Sequence, residues 1–216
     1  MRPGAAAWPG LPRRRLLSLL GAPALTGWLP SAHAGAQVEE PLADAVRLAL
    51  SAAVADSEPP EPVFADTESR LHYLRWKMEM NVRLVARNSD LKTLQDRDDF
   101  LQTLWYNCKR AQLDVALVLG LIQVESNFRR FAVSSVGARG YMQVMPFWTR
   151  SIGDGQANSL FYSKVNLRFG CVILRHYLDT ERGNLFMALG RYNGSRGRSP
   201  YPDAVQGARR RWEFSA

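Results

Sequence analysis

One carboxylate ends the most apolar stretch of this chain. In "LGLIQVESNF", residues 119–128, the run is almost free of charge until Glu125. Charged side chains are seldom fully buried unless paired or put to use. Two readings therefore compete. Glu125 could mark the first exposed turn after a core helix. Alternatively it is an acid held in apolar surroundings, where desolvation disfavours the anion and lets the carboxyl keep a proton near neutrality. Such a group can protonate a leaving oxygen. The next acid is Asp154, and its flanking Gly153 and Gly155 suit a solvated turn. The chemistry on offer is thus that of a single carboxyl, without the second acid that most glycosidases use.

Two later segments belong with this acid. One reads Gly137-Ala138-Arg139-Gly140-Tyr141-Met142-Gln143-Val144-Met145-Pro146, the other Arg191-Tyr192-Asn193-Gly194. Taken alone, each is an ordinary helix entry or exit, because glycine punctuates structure everywhere. In this order, downstream of Glu125-Ser126, they resemble the lytic transglycosylases of the soluble-lytic, goose-lysozyme-like group. That family shows Glu-Ser, then Gly-x-x-Gly-hydrophobic-Met-Gln-hydrophobic-Met-Pro, then Tyr-Asn. The resemblance covers about residues 100–205. Tyr141 stands where leucine is usual, Gly190-Arg191 precede Tyr192 where alanines are common, and Gly194-Ser195-Arg196 replace Ala-Gly-x-Gly.

The resemblance implies a lysozyme-like fold and a peptidoglycan glycan strand as substrate. It implies cleavage of the MurNAc-GlcNAc β-1,4 bond, with Glu125 as acid and then base. The acid would first protonate the leaving oxygen and then take the proton of the C6 hydroxyl, closing a 1,6-anhydro ring without water. Matching motif by motif, Ser134 would contact the acetamido region, Met142 would line the cleft, and Gln143 and Asn193 would bind sugar. Tyr192 would lie near the acid, its hydroxyl orienting the carboxyl. Ser126 reads as support for the turn. A hydrolytic muramidase on the same scaffold is the rival reading. A non-catalytic wall-binding module of a secretion system is the third, opposed by the retention of Glu125, Gln143 and Tyr192.

The elements that must position these residues read as helices. Leu71, Leu74, Met78, Val82 and Val85 recur at helical steps, and Phe100, Leu101, Leu104, Trp105 and Cys108 form a second stripe after an acidic start at Asp96. Asp114 can cap a third helix, Val115 to about Val124, which is apolar almost all round and hence central. Residues 126–140 read as a loop. Helices are expected over about 141–152 and 163–181, with Gly183 as a stop, and from Asn184 to about Tyr192. The fold class is all-α, mainly helical, with at most a small irregular β element in the 130s.

Around this domain the chain divides by composition. Residues 1–34 read as a signal peptide: Arg13-Arg14-Arg15, an apolar stretch 16–29, and the small-x-small pattern Ala32-His33-Ala34. Export by the Sec or twin-arginine route to the periplasm is expected, without a lipoprotein cysteine or a membrane anchor after cleavage. Residues 35–66 read as an acidic, proline-containing linker with a short helix over 41–55, and 67–216 as the catalytic domain. Of 28 basic and 20 acidic residues, 23 and 12 fall in 69–216. That basic excess suits a polyanionic wall polymer rather than nucleic acid, which an exported protein rarely meets. A secretion apparatus or wall-synthesis machinery is a candidate partner.

Neither a cofactor nor a metal is expected, since His33, His72 and His176 are scattered and no Cys-x-x-Cys occurs. The two cysteines, Cys108 and Cys171, are open to two readings: buried free thiols on apolar stripes, or a disulfide in an oxidising compartment.

Overall fold

The computed structural model describes residues 37–55, 61–87 and 89–215. The expected signal peptide, 1–34, lies outside the described residues, as do residues 56–60 of the expected linker. The described residues form the helices α1 (Asp44–Ala55), α2 (Thr67–Val85), α3 (Leu94–Arg110), α4 (Val115–Glu125), α5 (Phe147–Ile152), α6 (Ser163–Thr180), α7 (Leu185–Asn193) and α8 (Pro200–Arg209), with a 3-10 turn at Ala157–Phe161. Among them there is no strand. Isolated antiparallel bridges, Val133 to Arg139 and Arg139 to Val144, are the only β-like pairing, so the all-α expectation holds. No helix of the described residues is long and apolar enough to cross a membrane.

Helix α4 is the central post. The Asp114 side chain accepts from the Leu117 N–H at 2.6 Å and caps its start. Leu117 through Ile122 are then buried without a break. Gly120 sits where α8 crosses: a Cβ there would lie 2.6 Å from the Arg209 nitrogen and 2.8 Å from its Cα. Only glycine allows the two backbones to approach so closely. Arg209 pairs with Asp114 at 3.2 Å, and the Trp212 indole donates to Gln123 at 2.9 Å, so α8 is held along the length of α4.

Two expectations change at the N-terminal side. The stripe Leu71, Leu74, Met78, Val82 and Val85 is exposed, and α2 instead buries Tyr73, Trp76, Met80 and Leu84. Helix α2 carries two apolar stripes on opposite faces. The one with the larger aromatic area wins the core, as Tyr73 and Trp76 pack with Trp105 at ring separations of 5.0 and 4.7 Å. Residues 37–55, which composition marks as a tether, lie on the domain, with α1 against α5 and α6. Leu42 and Leu50 pack on the core there.

Three further boundaries follow local chemistry. Thr93 and Asp96 form a reciprocal capping box, so α3 starts at Leu94. The helix expected over 141–152 forms only from Phe147. Gln143 adopts φ 48°, and the Met142 N–H is taken by the Asn166 side chain at 2.8 Å rather than by a helical carbonyl. Helix α8 lies beyond the last helix expected from the sequence, in a stretch holding Pro200, Pro202 and Gly207. Both prolines fall in the first helical turn, where the backbone N–H has no partner to lose. The disulfide between Cys108 and Cys171 is not formed. Both are buried free thiols, side by side, and burial pushes the Cys108 thiol well above its ordinary value.

Candidate active site

Glu125 is the last residue of α4 and is 5% exposed. Its Oε1 accepts a hydrogen bond from the Tyr201 hydroxyl at 2.5 Å, while Oε2 is buried with no partner. Burial drives the carboxyl pKa up from 4.5 to about 8, and the Tyr201 hydrogen bond, which favours the anion, only partly opposes this. Neither influence is a charge. Near neutrality the group is therefore a protonated acid with one tyrosine to steady it. Tyr201 itself is held well above its ordinary value, first by burial and then by the neighbouring Glu125, so it remains a neutral donor.

The backbone around the acid is built to hold it there. Ser126 donates to the Tyr141 carbonyl at 2.8 Å, tying the end of α4 to the Met-Gln segment. Asn127 and Phe128 follow with φ of 48° and 60°. A left-handed phenylalanine costs on the order of 1–3 kcal/mol and persists only where the surroundings demand it. Here Phe128 is fully buried, its ring 5.1 Å from Trp212. Asn166 of α6 then braces the Met-Gln segment. Its Nδ2 donates to the Arg139 and Leu160 carbonyls, both at 2.8 Å, and its Oδ1 takes the Met142 N–H.

The other residues singled out by sequence are brought together, but most face inward. Tyr192 is fully buried and its hydroxyl donates to the Met142 carbonyl at 2.8 Å. The tyrosine on the carboxyl is Tyr201 instead. Helix α8 crosses α4 close enough for its own first turn to reach Glu125, so the expected orienting role of the Tyr192 hydroxyl is not what the geometry places there. Met142 is sealed against α6, where a Cβ on Gly170 would lie 2.2 Å from its sulfur, so it fills the core rather than a cleft wall. Gln143 gives its amide to the Gly140 and Ala132 carbonyls at 2.9 and 3.1 Å and shapes the loop. The Ser134 hydroxyl accepts from the Ala138 N–H at 3.0 Å. Asn193 donates to Ser195 at 3.1 Å and keeps a buried Oδ1 without a partner.

Among the described residues, no other carboxylate bears on the charge of Glu125. Asp154 is exposed and accepts from the Gln156 N–H at 2.8 Å. Glu181 is clamped by Arg196 and Arg191, which hold its carboxyl near a pKa of about 2. Tyr201 lies beyond Tyr192, where the expected helices end, and outside the three motif segments. The available signal was the apolar spacing Tyr201, Val205, Ala208, Trp212, which is helical and buried throughout.

The transglycosylase SLT domain family matches residues 105–214. A transglycosylase of Enterobacteria phage PRD1 is 38% identical over 82 residues, which cover 38% of this chain and 29% of that protein. An inactive mutant of the lytic transglycosylase Slt from Pseudomonas aeruginosa matches with 24% identity and a TM-score of 0.42, over 66% of this chain and 27% of the other. The chain thus spans under a third of the length of either relative.

Proposed function

Because the chain belongs to the transglycosylase SLT domain family, we propose that it is a peptidoglycan lytic transglycosylase with Glu125 as its only acid–base. One observation carries this reading. A buried carboxyl with a pKa of about 8 is joined to a single tyrosine donor and, among the described residues, feels no second carboxylate. At neutral pH such a group gives its proton to the glycosidic oxygen as the C1–O bond breaks. The 2-acetamido group of the same sugar meets the developing charge at C1, a recognised substitute for a second acid. Glu125, now an anion favoured by the Tyr201 hydrogen bond, withdraws the proton of the C6 hydroxyl, and O6 closes on C1. The carboxyl ends protonated, ready for the next bond, and no water enters the product.

Substrate contacts are proposed for Ser134, Gln143 and Asn193, the last through its unpartnered Oδ1. Met142 and Tyr192 support the cleft from behind. Peptidoglycan lies outside the cytoplasm, so export to the periplasm by the N-terminal 1–34 segment is part of the proposal. Its check is the N-terminal sequence of the secreted protein. The reaction is tested by mass spectrometry of muropeptides released from sacculi. Products ending in 1,6-anhydro-N-acetylmuramic acid, resistant to borohydride, are expected. Reducing ends carrying oxygen from labelled water would place the chain among hydrolases.

A further inference from the structure

The stripe Leu71, Leu74, Met78, Val82 and Val85 has helical spacing and the composition of a core, yet these residues are between 41% and 73% exposed. Single exposed apolar residues are ordinary on any surface, whereas a contiguous row of them marks a contact site. At about 100° and 1.5 Å per residue, the five fall within an arc of about 80° and run about 21 Å along α2. The opposite face of the helix carries Tyr73, Trp76, Met80 and Leu84 inward, where α2 packs on α3. Helix α2 also precedes residues 105–214, the part of the chain that matches the family. Neither the core nor the family domain accounts for the stripe.

Its spacing says what fits it. The steps are three, four, four and three residues, so the stripe reads the same from either end, with Met78 at its centre. A twofold interface has this property: where residue i of one copy meets j of the other, j of the first meets i of the second. Laid antiparallel on a second α2 with the axis at Met78, Leu71 meets the partner's Val85, Leu74 meets the partner's Val82, and Met78 meets its own copy. Each flanking pair sets a leucine against a smaller valine, and the flexible thioethers fill the axis.

Charge follows the same symmetry. Arg75 and Glu79 border one edge of the stripe, and the antiparallel pairing brings each Arg75 within about 3 Å, along the helix axis, of the partner's Glu79. Arg75 is exposed, and Glu79, which holds Arg83 at 2.9 Å, keeps 44% of its side chain exposed. A parallel pairing would instead set Arg75 against the partner's Arg70, since those two edges face each other when helices run the same way. Antiparallel helices also place opposite ends of their macrodipoles side by side.

We propose that α2 is the contact face of a homodimer, in which two copies of this chain pair their α2 helices antiparallel and bury the stripe about a twofold axis at Met78. The surface shares no residue with 105–214, so the dimer and the transglycosylase reading stand or fall separately.

The test measures the mass of the full chain by sedimentation equilibrium from low to high micromolar concentration. Twice the chain mass is expected at the upper end, and a monomer throughout overturns the dimer. Met78→Asp combined with Val82→Asp sets four carboxylates in the shared stripe and should weaken association on the order of a hundredfold or more. Both positions are exposed in the single chain, so an unchanged circular dichroism spectrum and Tm should show that the variant keeps its fold. Undiminished association of this variant would place the contact elsewhere and overturn the proposal. Orientation has its own readout, a short bismaleimide, with the native Cys108 and Cys171 protected by burial. Leu71→Cys alone and Val85→Cys alone should give no cross-linked dimer, because like positions lie about 21 Å apart along the axis. Mixed together, the two variants should cross-link to each other. Cross-linking of either variant with itself, or none in the mixture, overturns the antiparallel pairing.

Discussion

Replacing Glu125 by glutamine should change the pH dependence of stability as well as abolish lysis. In the unfolded chain the carboxyl ionises near 4.5, whereas in the fold it keeps its proton to about 8. Below pH 4.5 both states hold the proton and the site costs nothing on this account. As the pH rises to 8 the unfolded state releases a proton that the folded state retains, so stability falls by about 1.36 kcal/mol per pH unit. The full penalty, on the order of 5 kcal/mol, is reached near pH 8. Glutamine cannot ionise and escapes this slope. It brings a pH-independent cost of about 1–3 kcal/mol, because its N–H groups meet no acceptor beside the position of the unpartnered Oε2. The variant should therefore be the less stable protein at pH 4.5 and the more stable one at pH 8. Urea denaturation of both proteins at each pH from 4.5 to 8.5 measures the difference, and ionisations common to both cancel. A difference that stays flat with pH would refute the buried, raised acid. Lysis should fall by about 10² to 10⁴; near-full lysis by the folded variant would remove Glu125 from the mechanism altogether.

Three other substitutions probe the support of the acid. Tyr201→Phe removes a donor to the carboxylate, so the Glu125 pKa should climb further and the alkaline limb of the lysis profile should move up by about one pH unit or more. A limb that stays still or moves down would deny Tyr201 its hold on the acid. Asn166→Leu strands the Met142 N–H and the Arg139 and Leu160 carbonyls. A stability loss of about 3 kcal/mol or more is expected in urea, and a loss under 1 would mean the segment is braced elsewhere. Gly170→Ala drives a methyl to 2.2 Å from the Met142 sulfur and 2.7 Å from its Cβ. It should cost about 1–3 kcal/mol, read as a lowered Tm, and an unchanged Tm would show slack behind the motif.

The parts that were legible in the sequence are those governed by local rules. Asp114 caps α4 and Asn184 caps α7, each through its own side chain, as residue type and position suggest. The apolar run that ends at Glu125 does carry that acid into the interior. What stayed hidden depends on which of several allowed contacts a surface chooses. Leu71, Leu74 and Met78 satisfy helical spacing as well as Tyr73, Trp76 and Met80 do, and only the aromatic partners on α3 decide between them. Tyr192 and Tyr201 are chemically alike, and the one nearer to a motif in sequence is the farther from the carboxyl oxygen in space. The backbone crossing at Gly120 settles that choice, and no local pattern announces a crossing.

That crossing also sets a timing. The acid is made at position 125 and its tyrosine partner at position 201, on a helix that only glycine-to-backbone contact lets dock. A nascent or truncated chain that stops short of residue 200 holds the carboxyl but neither its hydrogen-bond donor nor the helix that roofs it. On the proposed mechanism, acid–base function therefore waits on the docking of the last helix, and a chain ending before residue 200 should show no lysis.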